Sequence, residues 1–249
     1  YPFTYESEIK LQVGDYVKVP FGKSVITGVV WNEFEKKKNK KFNIKKILEK
    51  INIKPLKNET INFLNLLSEY NLVPKGMCLK LHLLAGEAIS PFDKKKYEEY
   101  NIVDKKTEFK LSFEQKKILK EVLKNSKDFR VHLLQGTTGS GKTIVYFRVI
   151  EDKLNQGSQA LILLPEIGLT SEFEKKFKDY FGFNAAIWHS GITQKRKKII
   201  WSGLSEGNIK VVIGARSSLF LPFKKLGVII VDEEHDQSYK QDEGVNYNA

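Results

Sequence analysis

The strongest constraint on this chain is a glycine-rich segment at positions 136–143, which reads Gly-Thr-Thr-Gly-Ser-Gly-Lys-Thr. It matches the pattern G-x-x-x-x-G-K-[ST], in which backbone N–H groups surround phosphate oxygens. An apolar run predicts a buried strand over residues 130–134, and the apolar-rich residues after the loop predict a helix over 143–154. Strand, loop and helix in this order predict a nucleotide-binding loop. The expected nucleotide contacts are Gly136, Thr137, Thr138, Gly139, Ser140, Gly141, Lys142 and Thr143.

Four side chains have specific expected roles at this loop. Lys142 would reach the outer phosphates, and the Thr143 hydroxyl would bind Mg²⁺. A second apolar strand, predicted over residues 228–231, delivers Asp232 and Glu233 at its C-terminal end, where ligands bind in open α/β sheets. Asp232 would then hold Mg²⁺, while Glu233 would orient and deprotonate the attacking water. We therefore predict Lys142, Asp232 and Glu233 as the catalytic residues.

Length and composition limit the classes of protein to which this chain can belong. At 249 residues and 41% hydrophobic content, the chain can form one large domain or two ordinary ones with real cores. No apolar run approaches the ~20 residues of a membrane span, and no segment shows the charged start and apolar centre expected of a signal peptide. The single cysteine, Cys78, excludes an internal disulfide, and no Cys/His spacing predicts a zinc site. These features favour a cytoplasmic protein without a membrane partner. Because it starts at Tyr1 and stops at Ala249, we expect a fragment of a longer protein.

The net charge of +12 is concentrated in one segment. Residues 36–57 carry ten lysines against one acid, Glu49, which gives this segment a net charge of +9. Such a patch would bind phosphates with a salt-dependent affinity. A flexible, solvated loop explains the same lysines equally simply.

The chain divides near residues 90–110. Before that point the pattern predicts strands over 12–20, 25–31 and 42–50, a turn at 21–24 and a helix over 60–70. This pattern predicts a small, mostly β, barrel-like domain over residues 1–85 with a helical appendage. Residues 86–110 are polar, rich in Lys and Glu, and weakly periodic, which predicts a linker.

From residue 111 onward, predicted helices and strands alternate. Besides the elements named above, they cover residues 113–124, 160–164, 169–181, 185–188, 195–203 and 211–213. Alternation of this kind predicts an α/β lobe over 111–249, with a mostly parallel sheet covered on both faces.

Three loops at the C-terminal ends of predicted strands are rich in hydrogen-bond donors. They comprise residues 165–170, 189–191 and 214–218, and include Pro165, Gly168, Thr170, Arg216 and Ser217. Half or more of protein–DNA hydrogen bonds go to phosphate and sugar, which such donors suit. Ser and Thr at these positions would also serve as ordinary helix N-caps. As an ordered set in one sheet, the loops favour the strand-tracking face of a helicase.

This run of motifs resembles the PriA family of bacterial replication-restart helicases. The resemblance in the core rests on residues 164–170, 189–191, 214–217 and 232–236, with an aromatic-rich tail at 238–244. Residues 1–85 resemble the family's N-terminal DNA-binding domain, through residues 14–23 and 28–30. The resemblance implies a RecA-like P-loop lobe preceded by a domain that binds the 3′ end of DNA.

The resemblance implies an activity, cofactors and partners. The activity is ATP- and Mg²⁺-dependent 3′-to-5′ movement on single-stranded and forked DNA, to restart stalled replication. Primosome proteins and single-strand-binding protein are the implied partners, with zinc bound only beyond residue 249. Gln115 would contact adenine, and His235 would couple the ATP site to DNA. The implied DNA contacts are Phe3, Gly22, Lys45, Pro165, Gly168, Thr170, Arg216, Ser217, Tyr239 and Lys240.

The sequence departs from the family pattern in three places. Phe3-Thr4-Tyr5 stands where the family has Phe-Asp-Tyr, so the acid that contacts the terminal nucleotide is absent. Residues 86–110 are too few for the family's winged-helix domain, which is lost or reduced. Tyr247-Asn248-Ala249 replaces the family's Tyr-His-Ala.

Two other functions remain open from the residues. One is a different superfamily 2 DNA translocase, against which the N-terminal resemblance weighs. The other is a non-motor sensor of DNA structure that uses nucleotide only as a clamp. Intact Lys142 and Glu233 weigh against this sensor.

Overall fold

The N-terminal region is a small antiparallel sheet with two helices. The computed structural model describes residues 3–32, 44–83, 97, 100, 109–124, 128–137, 139–165, 168–241 and 244–249. The first sheet has the order β2-β1-β3 and consists of β1 (Tyr16–Phe21), β2 (Ser24–Val29) and β3 (Glu49–Lys50). Gly22, in the turn between β1 and β2, has φ 59°, a left-handed conformation that favours glycine. The predicted hairpin is confirmed.

The strand predicted over residues 42–50 is much shorter than expected. Only β3 and an isolated bridge between Glu6 and Lys46 are present, and residues 42 and 43 lie outside the described chain. The segment pairs with β1 only through Val17–Lys50 and Lys18–Glu49. The described strands therefore form an open three-stranded sheet, in which no barrel closure is seen.

Two helices complete this region. The first, α1 (Asn58–Tyr70), buries Ile61 and Leu64, which confirms the helix predicted over 60–70. The second, α2 (Lys75–His82), buries Cys78 and His82.

A parallel sheet organises the rest of the chain. Its order is β5-β6-β4-β7, and every adjacent pair is parallel. The elements are α3 (Phe113–Leu123), α4 (Lys142–Asn155), β4 (Gln159–Leu163), α5 (Ser171–Phe181), β5 (Ala186–Trp188), α6 (Gln194–Glu206), β6 (Val211–Gly214), β7 (Leu226–Val231), and the 3₁₀ helices Arg216–Phe220 and Gln237–Tyr239. A short antiparallel pair, β8 (Lys240–Gln241) and β9 (Tyr247–Asn248), follows. The predicted RecA-like α/β lobe is confirmed. Within the described ranges, no helix has the length and apolar character needed to span a membrane.

The central strand β4 separates two cores. Its side chains alternate between the faces of the sheet, as in any strand. Ala160 and Ile162 pack with residues of α4 and α5 on one face. Leu161 and Leu163 pack on the other face with α6 and with residues of the N-terminal region. All five residues of β4 are fully buried, as expected for a strand covered on both faces.

The N-terminal region and the parallel sheet share one core. The Tyr16 ring lies edge-on to Trp201 of α6, with ring centroids 5.8 Å apart. Lys54 forms an ion pair with Glu206 at 2.5 Å. Tyr97, inside the predicted linker, is buried against Gly203 of α6, where a Cβ atom would lie 2.5 Å from the tyrosine ring. The boundaries at residues 85 and 111 stay predictions, because most of the stretch between them lies outside the described residues.

The strand predicted over residues 130–134 is wrong. These residues form no strand, and the side chains of Val131 and Leu133 are 84% and 78% exposed. A short apolar run becomes a strand only where a sheet edge pairs with it. In the described chain, the parallel sheet ends at β7, which pairs with β4 alone.

We expect His82 to make folding sensitive to acid. Burial lowers the pKa of His82 from 6.5 to about 4, so the unfolded chain binds a proton at a higher pH than the folded chain does. Stability from this group is therefore complete above pH 6.5 and is lost as the pH falls towards 4. The full loss is about 3 kcal/mol. Urea unfolding between about pH 7 and pH 4 measures it.

The comparison is with His82→Asn, which does not titrate. The variant's free energy of unfolding should fall less over this pH range than that of the wild type. Parallel pH profiles for the two proteins would contradict the prediction.

Candidate functional site

The glycine-rich loop adopts a shape that needs its glycines. Gly139 and Gly141 have φ angles of 81° and 82°, and Gly141 is the residue before α4. A Cβ atom at Gly136 would lie 2.7 Å from the Ser140 hydroxyl, and one at Gly141 would collide with the Gln115 amide. Larger residues would therefore open the loop. Thr138, also predicted in this loop, lies outside the described residues.

The Lys142 ammonium lies folded over this loop. Its Nζ donates to the carbonyl oxygens of Gly136, at 2.7 Å, and Thr137, at 3.3 Å. These exposed bonds can be exchanged for bonds to an anion at the start of α4, where backbone N–H groups and the helix dipole also favour negative charge.

Gln115 holds the start of α3 against the same loop. It forms a capping box with Ser112, in which each side chain bonds to the other residue's backbone. Its Nε2 also donates to the Ser140 carbonyl oxygen at 3.1 Å. Gln115 is thus beside the predicted nucleotide loop, and its contact with adenine stays a prediction.

A buried tyrosine hydroxyl joins the loop helix to the acidic strand end. Tyr146 on α4 donates to Oδ2 of Asp232 at 2.9 Å, and the Thr143 side chain is within hydrogen-bonding reach of the same hydroxyl. Burial, together with the Asp232 charge, raises the pKa of Tyr146, so its proton stays in place. The hydroxyl of Thr143 and the carboxylate of Asp232 therefore lie on either side of one group. Such oxygen donors suit Mg²⁺.

Tyr146 was not predicted from the sequence. It lies three residues after Thr143, so both occupy one side of the helix start. A tyrosine on the buried face of a helix usually needs a hydrogen-bond partner, and that was the available signal.

The backbone of Asp232 is fixed from two directions. Its N–H donates to the Leu163 carbonyl oxygen at the end of β4, at 3.0 Å. Its own carbonyl oxygen accepts from the Tyr239 hydroxyl at 2.6 Å, and that hydroxyl also lies 3.0 Å from the Leu163 oxygen. Tyr239 was predicted to contact DNA, but it is 1% exposed. We correct that prediction, because its ring belongs to the core and its hydroxyl anchors the acidic strand end.

Glu233 occupies a strained backbone position. Its φ is 50°, which is uncommon for a residue other than glycine and costs of order 1–3 kcal/mol. Its carboxylate is exposed and lies 3.5 Å from Nε2 of His235. The structure therefore brings the predicted catalytic base and the predicted coupling residue together.

The loop after β4 uses its polar residues locally. Pro165 is buried, and its carbonyl oxygen accepts from the Gly168 N–H at 2.8 Å. Thr170 caps α5 by accepting from the Phe173 N–H at 3.2 Å. Helix capping, the alternative for Thr170, is thus present. DNA contacts from Pro165, Gly168 and Thr170 stay predictions, and only Thr170 of the three is exposed.

Arg216 is turned towards the chain that follows the acidic motif. Its guanidinium donates to the carbonyl oxygens of Ser238, at 2.9 Å, and Lys240. Arg216 and Ser217 are half-buried, whereas the Lys240 side chain is exposed. Arg216 therefore supports the turn around Tyr239 in this structure, and its bond to a DNA phosphate stays a prediction.

Phe3, Gly22 and Lys45, the predicted DNA contacts of the N-terminal region, all lie in its described part. The Phe3 ring is exposed and lies edge-on to Phe21, with centroids 5.2 Å apart, next to Gly22. The Glu6 N–H donates to the carbonyl oxygen of Lys45 at 3.0 Å, which places the lysine on the same chain edge. An exposed ring can stack on a base and an exposed lysine can contact a phosphate, so these DNA contacts stay predictions.

Comparisons with known proteins cover both parts of the chain. A model described as DEAD/DEAH box helicase matches residues 113–248, and one described as 3′ DNA-binding domain matches residues 1–83. Replication restart protein PriA of Rickettsia conorii is 39% identical over 251 aligned positions, covering 100% of this chain and 38% of that protein.

Two more relatives carry the same name. PriA of Helicobacter pylori is 37% identical over 255 positions, covering 100% of this chain and 37% of its own length. PriA of Bacillus subtilis is 45% identical over 125 positions, covering 50% of this chain and 16% of its own length. The chain therefore spans about 38% of the length of the Rickettsia relative, and that alignment covers the whole of this chain.

The strain at Glu233 generates a prediction about stability. Glu233→Gly should raise the free energy of unfolding by about 0.5–1 kcal/mol, because glycine adopts positive φ without the Cβ clash. Thermal unfolding of the variant and the wild type measures the change.

The control is Glu234→Gly, which removes the same exposed side chain at a position without positive φ. That change should not stabilise the protein. Equal effects of the two substitutions would show that lost charge, rather than relieved strain, is responsible.

Proposed function

Because the chain belongs to the DEAD/DEAH box helicase family, we propose that it forms the ATP-binding and DNA-binding part of a replication-restart DNA helicase. The observation that carries the proposal is the bond from Tyr146 on the loop helix to Asp232. It joins the predicted phosphate loop and the predicted Mg²⁺ ligand in one site.

The residues of this site divide the chemistry of ATP hydrolysis among them. Lys142 places a cation on the outer phosphates, while the loop N–H groups hold the phosphate oxygens. Thr143 and Asp232 supply the oxygen ligands for Mg²⁺, which neutralises phosphate charge when bound. Glu233 orients the attacking water and accepts its proton. Its exposed carboxylate, next to His235, leaves room for this water.

A strand of DNA would cross the loops at the same edge of the sheet. Parallel strands present their C-terminal ends together, so the loops after β4, β5 and β6 lie on the side where Asp232 lies. The proposed contacts are Pro165, Gly168, Thr170, Arg216, Ser217 and Lys240. His235 would couple DNA binding at this face to Glu233 in the ATP site.

The N-terminal region would bind a DNA end. Support comes from the match of residues 1–83 to a 3′ DNA-binding domain. Phe3 would stack on the terminal base, and Lys45 would contact a phosphate of the DNA. Gly22, which has no side chain, would let the protein backbone come close to the DNA end. By analogy with the relatives named PriA, the whole protein would act at stalled forks in the cytoplasm with primosome and single-strand-binding proteins.

The nucleotide site can be tested by two substitutions in the full-length protein. Lys142→Ala should weaken Mg·ATP binding at least roughly tenfold, because a charged hydrogen bond contributes about 1.5–3 kcal/mol. Glu233→Gln should retain binding and lower hydrolysis roughly 100-fold or more, because it removes the base and keeps the shape. Fluorescent-nucleotide titration and ATPase assays measure the two effects.

Lys153→Ala, near the other end of α4, removes the same charge and should leave nucleotide affinity unchanged. Equal nucleotide affinity for Lys142→Ala and the wild type would contradict the assignment of Lys142 to the phosphates. Undiminished hydrolysis by Glu233→Gln would exclude Glu233 as the base. DNA binding without any DNA-stimulated hydrolysis in the wild type would instead favour the sensor.

A second prediction concerns DNA binding by the N-terminal region. Lys45→Ala should weaken binding to single-stranded DNA and lower the slope of log affinity against log salt by about 1, because one phosphate contact is lost. Fluorescence anisotropy across a salt series measures this slope. Lys80→Ala, an exposed lysine on α2, is the matched control and should leave the slope unchanged.

The oligonucleotides are paired, one with a 3′ hydroxyl and one with a 3′ phosphate. Since Thr4 replaces the family's acid, we expect only a weak preference for the free hydroxyl. A strong preference would mean that another group recognises the end.

A further inference from the structure

A buried histidine connects the N-terminal region to the parallel-sheet lobe. His82 is 2% exposed, and both of its ring nitrogens have partners. Nδ1 lies 2.7 Å from the Phe220 carbonyl oxygen, and Nε2 lies 2.8 Å from the Tyr16 hydroxyl. A carbonyl oxygen can only accept, so Nδ1 carries the proton and the Tyr16 hydroxyl donates to Nε2. This path runs from β1 through α2 to the lobe.

Phe220 is the last residue of the Arg216–Phe220 helix. Carbonyl groups at a helix end lack partners within the helix, and His82 supplies one. The Phe220 ring is also held between Phe63 of α1, at 5.8 Å, and Tyr247, at 5.1 Å between centroids. The N-terminal region therefore fixes one end of this short helix.

The other end of the same helix reaches the nucleotide site. Arg216, its first residue, donates to the carbonyl oxygens of Ser238 and Lys240, on either side of Tyr239. The Tyr239 hydroxyl in turn donates to the carbonyl oxygen of Asp232, at 2.6 Å. Hydrogen bonds, linked through the Arg216–Phe220 helix and the backbone around Tyr239, thus join Tyr16 to the backbone of the proposed Mg²⁺ ligand.

We propose that His82 is a positioning residue that couples DNA bound by the N-terminal region to ATP hydrolysis. It holds the Arg216–Phe220 helix in place, and this helix holds the turn around Tyr239 and hence Asp232. The proposal rests on the function proposed above and adds the route by which its two parts communicate.

The chemistry of the His82 side chain supports a positioning role rather than a role in filling the core alone. An apolar side chain in place of His82 would fill the space but would leave the Phe220 carbonyl and the Tyr16 hydroxyl buried without partners. The imidazole satisfies both and fixes their separation. It is also a rigid ring, so a shift of β1 is passed to Phe220 rather than absorbed by rotamer changes.

Hydrogen exchange in the full-length protein tests the positioning role without requiring catalysis. His82→Leu should speed amide exchange roughly fivefold or more in residues 215–221 and 237–241, as expected for one lost buried hydrogen bond. His82→Asn should restore protection in both segments, because its amide nitrogen can take the place of Nδ1. Tyr16→Phe is the milder change and should give a smaller increase in the same segments.

Tyr180→Phe is the matched control. It also removes a partly buried tyrosine hydroxyl, one that donates to Glu151 on the other face of the sheet. It should leave both segments unchanged. Faster exchange confined to residues around 16 and 82, or spread evenly over the chain, would overturn the proposal. So would equal protection in His82→Leu and His82→Asn.

The functional readout is ATP hydrolysis with and without forked DNA. In His82→Leu the stimulation by DNA should fall several-fold, a larger factor than any change in the rate without DNA or in the KM for ATP. His82→Asn should recover the stimulation only in part, because its amide replaces the bond to Phe220 but not the Nε2 bond to Tyr16. Equal stimulation in His82→Leu and the wild type would overturn the coupling. If the wild type itself hydrolyses no ATP, the proposed function fails, whereas the exchange experiment still decides whether His82 positions the helix.

Discussion

One backbone carbonyl, that of Leu163, sets the position of the acidic strand end. It accepts from the Asp232 N–H and from the Tyr239 hydroxyl, each at 3.0 Å. Leu163 is the last residue of β4, which is fully buried between β6 and β7. Asp232 is therefore located by a strand that is buried and paired on both sides. Glu233 has its left-handed conformation because the chain turns back immediately after Asp232. In this turn the Asp236 N–H donates to the Glu233 carbonyl oxygen at 2.8 Å.

The two parts of the chain are not independent units on a tether. Tyr16 of the N-terminal region lies in the same core as Trp201 and Phe220 of the lobe, and His82 contacts both of these lobe residues. An interface built around a buried polar pair has few alternative packings, because each rearrangement would leave a donor or acceptor without a partner. The relative orientation of the two parts is thus a property of the fold itself.

Strong local signals made much of this structure predictable. The hairpin, α1, α4 and the parallel strands follow from periodicity and turn residues, and the glycine-rich loop from its motif. Prediction from the sequence failed where the conformation of a residue depends on partners that are distant in the chain. The apolar run at 131–134 looks buried, yet it pairs with no strand of the described sheet, although the outer edge of β7 is open. Tyr239 is predicted to contact DNA because it belongs to an aromatic-rich tail. In the structure it is buried, and its hydroxyl bonds to the carbonyl oxygens of Asp232 and Leu163. Nothing in the local sequence around Tyr146 or His82 indicates which carbonyl or carboxylate each one meets.

The outer edge of β7 also governs how this polypeptide behaves in solution. Among the described residues β7 pairs with β4 alone, and the side chains of Ile229 and Val231 are 45% and 38% exposed. An open, apolar strand edge is a template for pairing with another molecule. The net charge of +12 opposes such encounters by repulsion, which dissolved salt screens. Colloidal stability should therefore decline as ionic strength rises, so concentrated preparations keep best in dilute buffer.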